Sequence, residues 1–447
     1  MDLFAPAHQL AAGIRLKEFS ALELLTALLD QIDRVNPRLN AIVTLDREGA
    51  LAHAKAADEA LARGELWGAL HGLPVTLKDA FTTAGMRTTC GHPPLADFIP
   101  ETDSAPARRL KAVGAILIGK TNVPELCDDW QSDNPVFGRT LNPWDPSRTP
   151  GGSSGGAAAA VAAGLSTLDI GSDIGGSIRV PATYCGLYGF KPTEGRVSGL
   201  GHIPPLPGTP RTVRLMNCVG PIARSASDLI VGYKLLAGPE PGDTEIPPVP
   251  FGEIERVHFG GLRVAWAPSF PGTPAAAPIR RGIAKLADEL LRQGALVEAA
   301  LPNLSTGQNP RQTWLDPVKA QAQQAEWAAY ERAFAHLIGY VWQNNPGTAE
   351  EYLHAVAARD RFITAWERFF GDFDLLLCPV TSTTAFEHGG GTPRQLLVDG
   401  EPLRYKYAHN FCRLFNLTGN PSVVIPLGQD EQGLPFGVQL VGPRWGD

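Results

Sequence analysis

Serine side chains set among glycines are the first candidates for chemistry in this sequence. The stretch TPGGSSGGAAAAVAAGLSTLDIGSDIGGSIRVPATYCG, residues 149–186, carries Ser153 and Ser154 between two glycine pairs and Ser177 directly after a third pair. Glycine loses more backbone freedom on folding than any other residue, so ordering such a segment is unfavourable and needs a purpose. A reactive serine would provide one, but the stretch contains no histidine that could accept its proton.

Three common uses of a glycine-rich segment do not fit these residues. A flexible linker is disfavoured, because the alanine-rich run 157–163 is a strong helix former and begins immediately afterwards. A phosphate-binding P-loop ends in Gly-Lys-Ser or Gly-Lys-Thr, and this segment has no lysine. The sequence GSDIGGSIR also departs from the dinucleotide-binding pattern G-x-G-x-x-G.

A nucleophile elbow of the α/β-hydrolase type stays open as an alternative. The sequence GGSSGG satisfies G-x-S-x-G twice, with Ser153 or Ser154 at its centre. Such an esterase needs a strand that runs into the serine. Here NPWDPSRTP precedes it, and its prolines leave little room for a strand.

Composition and termini indicate the broad class of protein. The 447 residues are 44% hydrophobic and 19% charged, as in soluble globular proteins. The net charge of −7 argues against nucleic-acid binding. The six cysteines are scattered without a C-x-x-C pair, and a chain of this size needs no disulfide framework. MDLFAPAHQL does not resemble a secretory signal, and no apolar run approaches the ~18 residues of a membrane span. We therefore expect a cytoplasmic protein with no membrane partner.

Helical and strand-like segments alternate along the chain. SALELLTALLDQIDRV combines a capping-box spacing of Ser20 and Glu23 with leucines at helical intervals, and Asn36-Pro37 is expected to end this helix. A short strand, NAIVTL, and a second helix that stops at Gly64 follow. The alternation predicts an α/β fold, a single large domain with a mixed β-sheet covered by helices on both faces. The proline-rich stretch 238–255 is interpreted as a long surface connection within that domain.

Several blocks of the sequence closely resemble the amidase signature family. The glycine-serine stretch through GFKPTEGRVS matches the family's signature almost position by position, and GLPVTLKDAF matches its lysine segment. ILIGKTNVPEL, RTLNPWDPSRTP, CVGPIARSASDL and FNLTGNPSVVIPLG match the connecting and downstream blocks. The resemblance is weakest between about 240 and 370. It implies one amidase domain over residues 1–447, with a catalytic core at about 70–230 and a variable pocket region at about 240–370.

The resemblance also implies a serine–serine–lysine arrangement in which the middle serine follows a cis peptide bond. By position, Ser177 is the nucleophile, Ser153 the bridging serine and Lys78 the base. A lysine accepts a proton only when it is neutral, and burial in an apolar site favours a neutral amine. The segment GLPVTL ahead of Lys78 is apolar. Without the motif, a surface lysine paired with Asp79 would be the simpler interpretation.

Backbone amides are the expected stabilisers of the transition state. Acyl transfer builds negative charge on a carbonyl oxygen, which N–H groups aimed at that oxygen stabilise. The candidate donors are the amides of Ile174, Gly175, Gly176 and Ser177, as the resemblance also implies. The two glycines would let a substrate approach the backbone closely.

A second set of motif residues is expected to support the site or the core. Ser154, Asp173 and Arg179 could each satisfy buried polar groups around the serines. His71, before Gly-Leu-Pro, is interpreted as structural. Cys185 is interpreted as a small buried packing residue rather than a nucleophile. The histidines show no H-E-x-x-H or comparable spacing, so no metal and no other cofactor is expected.

The sequence limits the substrate only coarsely. The family acts on aliphatic, aryl and peptide amides, on carbamates (urethanes) and on glutamine in tRNA-dependent amidotransferases. Trp130, Tyr184 and Tyr188 are candidates for lining an apolar pocket, although core positions are equally consistent with their types. No arginine pair of the kind that holds glutamine's carboxylate is visible. We therefore predict an amidase for a small-molecule amide or carbamate, with ester or urethane hydrolysis as side activities.

The sequence leaves two alternative functions and the roles of two segments open. A glutaminase-type subunit of a tRNA-dependent amidotransferase is the first alternative, and the elbow esterase that uses Ser154 is the second. As an independent enzyme we expect a monomer or homodimer. Segment 198–217 is a candidate wall or lid of the entrance, and residues 317–343 form a predicted helix in the variable region. The chain stops at GPRWGD, where relatives usually add a helix, so either the sequence ends early or that sheet edge is less covered.

Overall fold

The computed structural model describes residues 1–203, 213–252, 258–302, 304, 317–342, 347–389 and 391–447, with the side chains of 317–326 and 340–342 left aside. Within that part of the chain, a mixed sheet of 11 strands spans the molecule. Its spatial order is β1 (Ile42–Leu45), β3 (Ile116–Thr121), β2 (Pro74–Lys78), β6 (Asp169–Asp173), β8 (Cys218–Ala223), β7 (Tyr188–Lys191), β14 (Ser422–Gln429), β15 (Pro435–Val441), β11 (Leu375–Pro379), β9 (Arg263–Trp266) and β10 (Leu296–Ala299).

Strand directions make this sheet mixed, as predicted. β2 is parallel to both β3 and β6, and β9 is parallel to both β10 and β11. The pairs between β6 and β15 in the spatial order are antiparallel, as are β1–β3 and β11–β15. Two small hairpins lie outside the sheet, formed by β4 (Asp133–Asn134) with β5 (Gly138–Arg139) and by β12 (Gln395–Val398) with β13 (Glu401–Arg404).

Helices cover the sheet and alternate with its strands. They are α1 (Ala7–Arg15), α2 (Ala21–Leu39), α3 (Arg47–Ala62), α4 (Ala105–Ala112), α5 (Gly155–Ala162), α6 (Arg179–Tyr184), α7 (Ala226–Leu236), α8 (Ala277–Arg292), α9 (Pro317–Trp342), α10 (Ala349–Asp372) and α11 (Asn410–Leu417). Short 3₁₀ turns occur at Pro93–Leu95, Glu125–Cys127 and Tyr405–Tyr407. The predicted α/β fold is confirmed, and α9 lies where the sequence predicted a helix. None of the described helices is long and apolar enough to cross a bilayer.

The start of α2 agrees with the sequence prediction, but its end does not. Ser20 Oγ accepts a hydrogen bond from the Glu23 amide, and the Glu23 carboxylate accepts one from the Ser20 amide, which completes the capping box. The prediction that Asn36-Pro37 ends this helix is wrong, because the helix continues to Leu39. Pro37 stands in the last turn, where its missing N–H removes only one helical bond. The Asn36 side chain binds the backbone of the next segment, and Asn40 closes the helix at a φ of 53°.

The apolar core joins the two segments that carry the serines. One cluster is built on α1, α2, α3, β2 and β3, and a second on α8, α10, α11, β9 and β11. A third cluster contains Ala157, Ala158 and Val161 of α5 together with Ile178, Val180 and Ala182 around α6. Because α5 follows Ser153 and Ser154 and α6 follows Ser177, this packing fixes the two serine segments relative to each other.

A fully buried ion pair links α6 to the rest of the fold. Asp173 ends β6 and Arg179 begins α6, and the guanidinium donates to both carboxylate oxygens at 3.0 and 2.9 Å. Arg179 also donates to Asn416 of α11 and Gln439 of β15. Burial alone would raise the pKa of the Asp173 carboxyl, but the Arg179 charge and hydrogen bonds hold it well below its usual range.

Replacing Arg179 with Met is predicted to lower the free energy of unfolding by about 3–5 kcal/mol at neutral pH, because it leaves a buried carboxylate without its cation. Without the guanidinium, burial raises the pKa of Asp173 above its unfolded value. Such a group stabilises the fold at low pH and loses that contribution as the pH rises. The R179M variant should therefore regain stability as the pH is lowered from about 7 towards 5. Urea denaturation followed by circular dichroism measures both effects.

Arg63→Met is the matched control, since Arg63 and Glu65 form an ion pair that is largely exposed to solvent. Its loss should leave the free energy of unfolding almost unchanged, because solvent screens an exposed ion pair. A loss of this small size in R179M, or one that does not diminish on acidification, would contradict the assigned role of the buried pair.

Candidate active site

Lys78 lies at the centre of a buried cluster of hydroxyl groups. It ends β2, and its neighbouring parallel strand β6 ends with Ser172 and Asp173, so the carboxyl ends of both strands meet at one edge. The Nζ atom of Lys78 lies 2.7 Å from Ser153 Oγ and 2.9 Å from Ser172 Oγ. The side chain is fully buried. The alternative of a surface lysine paired with Asp79 is therefore wrong.

Asp79 and Lys120 instead brace the loop that follows Lys78. The Asp79 carboxylate accepts hydrogen bonds from the amide and hydroxyl of Thr89, and burial raises its pKa to about 6 against the opposing charge of Lys120. The Lys120 ammonium donates to the Phe81 carbonyl, and burial lowers its pKa to about 8. These groups hold the backbone on one side of Lys78.

Ser153 reaches the cluster because the residue before it is a glycine, which has no side chain to clash with the neighbouring backbone. The peptide bond between Gly152 and Ser153 is cis. A Cβ atom on Gly152 would lie 2.6 Å from the Asp129 carbonyl oxygen and 2.7 Å from the Gln131 nitrogen, closer than packing allows. The chain therefore passes directly against the 129–131 backbone and delivers Ser153 Oγ to Lys78.

Ser177 lies at the edge of a cavity, on a loop that is bonded to the segment of Ser153. Its side chain is nearly buried, and its carbonyl oxygen accepts a hydrogen bond of 3.1 Å from the Ser154 amide. That bond holds the loop of Ser177 against the segment of Ser153. The structure thus brings Lys78, Ser153 and Ser177 into one region, while their catalytic roles remain predictions.

Ser154 does not occupy the position of an elbow nucleophile. Its side chain is fully buried, with Oγ directed to the Ser172 carbonyl at 3.4 Å. Residues 142–150, all of which are described, contain one isolated bridge at Arg148 and no strand. The strand-to-serine turn that an elbow requires is missing at this place.

Two backbone amides of the loop between Asp173 and Arg179 donate to the Asp173 carboxylate. The Gly176 amide donates to the Asp173 carboxylate at 2.8 Å, and the Ile178 amide donates to the same group at 3.1 Å. The Gly176 amide is therefore already bound to a carboxylate, which argues against the expectation that it supplies an oxyanion donor. Gly176 is needed for its φ of 115°, and a Cβ there would lie 2.8 Å from that of Cys412. The amides of Ile174, Gly175 and Ser177 remain the predicted donors.

The cavity next to Ser177 has a volume of about 130 Å³. Its lining consists of Cys127, Asp128, Asp129, Trp130, Ile174, Gly175, Ser177, Phe334, Ile338 and Arg413. Trp130 Nε1 donates to the Gly175 carbonyl at 3.0 Å, which fixes the indole against the loop. Phe334 and Ile338 come from α9. One wall of the cavity is thus aromatic and apolar, as expected, and it belongs partly to the variable region.

The other two candidate aromatic residues lie elsewhere. Tyr184 is fully buried and packs edge-on against Phe386 in the core. Tyr188 lines a separate apolar cavity of about 270 Å³ next to α7. Of the three aromatic residues named from the sequence, Trp130 lines the cavity next to Ser177.

Charged side chains in the cavity were not predicted from the sequence. Arg413 places its guanidinium carbon 4.8 Å from the Trp130 ring centre and 4.9 Å from that of Phe334, a double cation–π contact. Burial lowers the pKa of Arg413, and burial together with Asp129 raises that of Asp128. These residues belong to no catalytic motif and come together only in the folded chain.

Segment 204–212, part of the candidate lid, lies outside the described residues.

His71 and Cys185 have the structural roles that the sequence indicated. The His71 ring is fully buried, with its two nitrogens bonded to the Trp67 amide and the Ala57 carbonyl. Cys185 is buried at the end of α6, and burial raises the pKa of its thiol. A thiol with a raised pKa is a poor nucleophile, which agrees with a packing role.

A family model and curated relatives match nearly the whole chain. The family model described as Amidase matches residues 23–447. An indoleacetamide hydrolase of Bradyrhizobium diazoefficiens is 35% identical over 97% of this chain and 82% of its own length. A glutamyl-tRNA(Gln) amidotransferase subunit of Moorella thermoacetica is 34% identical over 99% of this chain and 94% of its own.

Solved structures with the same fold superpose on 99–100% of this chain. A 6-aminohexanoate cyclic dimer hydrolase superposes with a TM-score of 0.80 at 27% identity and covers 100% of this chain and 94% of its own. A bacterial aryl acylamidase gives 0.80 at 25% identity over 99% of this chain and 93% of its own. With the family match across nearly all residues and these structural neighbours, the chain belongs to the amidase signature family.

Proposed function

We propose that this protein is a serine hydrolase that cleaves the C–N bond of small amides through an acyl-enzyme. Ser177 is the nucleophile, Ser153 the bridging serine and Lys78 the base. The observation that carries the proposal is the buried 2.7 Å contact between Lys78 Nζ and Ser153 Oγ, in a segment whose Ser154 amide donates to the Ser177 carbonyl. A lysine within hydrogen-bond distance of a serine hydroxyl can take the place of histidine as general base.

The proposed reaction moves one proton in each direction. Neutral Lys78 accepts the proton of Ser153, which takes that of Ser177 as its oxygen attacks the substrate carbonyl. When the tetrahedral intermediate collapses, the same proton returns through Ser153 to the leaving nitrogen. Water then attacks the acyl-enzyme, with Lys78 and Ser153 acting in the same order, and releases the acid and Ser177.

Negative charge on the substrate oxygen needs donors already in position. We propose that the amides of Ile174, Gly175 and Ser177 supply them, since the Gly176 amide is bound to Asp173. Loss of one such donor typically lowers kcat by about 100- to 1,000-fold. The Asp173–Arg179 pair would hold these amides in place before the substrate binds.

The cavity lining favours substrates with an aryl or other flat apolar group. Trp130, Phe334 and the apolar side chains of Ile174 and Ile338 form the wall on which such a group would pack. The names of the aryl acylamidase and the indoleacetamide hydrolase agree with this class. We therefore propose aryl amides and anilides first, with carbamates (urethanes) and esters as further substrates.

A glutaminase-type subunit is the second candidate. Several relatives are amidotransferase subunits at 33–34% identity, and Arg413 places a cation in the cavity. Assaying the purified chain separates the two. An amidase hydrolyses anilides or primary amides alone, whereas a glutaminase subunit would require partner subunits and leave those amides intact.

A fluorophosphonate probe tests the assignment of the nucleophile. We expect it to form a bond with Ser177 Oγ and release fluoride, because only this serine combines an activated oxygen with an adjacent oxyanion site. Peptide mapping after proteolysis identifies the labelled residue. Ser177→Ala should lose both labelling and anilide hydrolysis.

Ser147→Ala is the matched control, because the Ser147 side chain is exposed and its hydroxyl donates to Asp145 within the same turn. The S147A variant should be labelled on Ser177 at the wild-type rate. Labelling on Ser154 would restore the elbow mechanism, and unchanged anilide hydrolysis by the S177A variant would overturn the proposed nucleophile.

A further inference from the structure

Ser172 connects Lys78 to a histidine that no motif includes. Ser172 Oγ lies 2.9 Å from Lys78 Nζ on one side and 2.7 Å from His202 Nε2 on the other. All three side chains are buried, and His202 is only 6% exposed. The imidazole packs on Phe81 with ring centres 4.9 Å apart. A chain of polar groups therefore runs from His202 through Ser172 and Lys78 to Ser153.

The hydrogens in this chain can be ordered in two ways. A hydroxyl donates one hydrogen bond and accepts others, whereas a neutral lysine amine has two N–H donors and one lone pair. If His202 Nε2 accepts the Ser172 proton, Ser172 Oγ accepts from a Lys78 N–H. The Lys78 lone pair is then free to take the proton of Ser153.

The opposite order blocks the base. If Nε2 carries a proton, it donates to Ser172 Oγ, and the Ser172 hydroxyl is free to turn towards Lys78. It then donates to the lone pair that Ser153 needs, and Lys78 no longer accepts from Ser153. A doubly protonated His202 enforces this arrangement, because both of its ring nitrogens are donors.

The segments packed next to His202 also carry charged residues. His202 bridges to Phe81, its neighbours Gly201 and Ile203 bond to the backbone at Thr82 and Ala80, and Ser198 upstream bonds to Asp243. The charged groups on the segments packed here are Lys78, Asp79, Asp103, Lys120, Asp169, Asp173 and Asp243. Lys78 shares a single hydroxyl with His202, so the charge of one bears directly on the proton position of the other.

We propose that His202 is a positioning residue for the general base: its Nε2 accepts the Ser172 proton and thereby directs the Lys78 lone pair towards Ser153. This inference rests on the proposed role of Lys78. His202 belongs to segment 198–217, whose sequence departs from the usual sequence of the family, and the proposal gives this residue a role. Protonation of His202 reverses the direction of the hydrogen bonds between His202, Ser172 and Lys78, so that Lys78 no longer acts as a base.

Two replacements of His202 separate positioning from packing. His202→Leu retains apolar bulk but removes the acceptor, and we expect kcat for an anilide to fall about 10- to 100-fold with little change in KM. His202→Gln offers an amide oxygen to Ser172 that does not titrate, and it should recover most of that loss. His53→Gln on the exposed face of α3 is the control and should behave as wild type.

The pH profile supplies a readout that packing alone would not move. In wild type, protonation of either Lys78 or His202 stops the reaction, so log kcat/KM should fall with a limiting slope of about 2 on the acid side. In H202Q the second proton has no site, and the slope should approach about 1. Thermal melting of each variant verifies that it is folded.

The outcomes distinguish this inference from the proposed function. If Lys78→Ala is inactive on anilides while H202L has wild-type kcat, the positioning role is overturned and the proposed function stands. If H202L and H202Q lose equal activity and keep the wild-type slope, His202 is a packing residue and the inference is also wrong. If K78A retains anilide hydrolysis, the proposed function itself fails.

Discussion

The buried ion pair of Asp173 and Arg179 is the constraint on which the geometry of the site depends. Asp173 stands at the end of a central strand and binds the amides of Gly176 and Ile178 as well as the guanidinium. Arg179 extends the network to Asn416 in α11 and so joins the last third of the chain to the loop. A buried pair of this kind contributes little net stability relative to an apolar pair, but breaking it is costly. Its benefit here is a loop held in one conformation around Ser177.

Strand direction explains why the proposed base and its partners meet. β2 and β6 are parallel neighbours, so Lys78 and Ser172 emerge at the same edge of the sheet. The glycines of the 151–156 segment then allow Ser153 to approach that edge. Buried charges that the reaction does not use, such as Asp79 and Lys120, each have polar partners. The site is therefore buried and polar at once, which strengthens electrostatic effects within it.

The sequence predicted what local pattern and motif spacing determine. The capping box at Ser20 and the alternation of helices and strands required no tertiary information, and the family resemblance identified Lys78, Ser153 and Ser177 as a group. The end of α2 was predicted wrongly, because the rule that proline stops a helix does not apply in its last turn. There Asn40 closes the helix in the left-handed conformation, and the Asn36 side chain accepts a hydrogen bond from the Ala41 amide of the segment that follows.

Other features depend on contacts between distant segments, and no local pattern indicates them. The Gly176 amide turns to Asp173 because a carboxylate three residues earlier competes for it. Arg413 and Asp128 meet in the cavity from segments that are far apart in the chain. His202 could have been singled out as a histidine in an unusual segment next to the catalytic block, but only the fold shows that it reaches Ser172.

The measurement that most directly tests the proposed role of Lys78 is the amide-to-ester ratio of kcat/KM in wild type and Lys78→Ala. An amine leaves far more easily once its nitrogen is protonated, whereas p-nitrophenolate departs without help. If Lys78 returns its proton to the leaving nitrogen, K78A should lose more activity on an anilide than on the p-nitrophenyl ester with the same acyl group, provided that acylation limits both. Lys55→Ala, at an exposed position of α3, serves as control. An unchanged ratio in K78A would contradict the proposed proton path and require another acid.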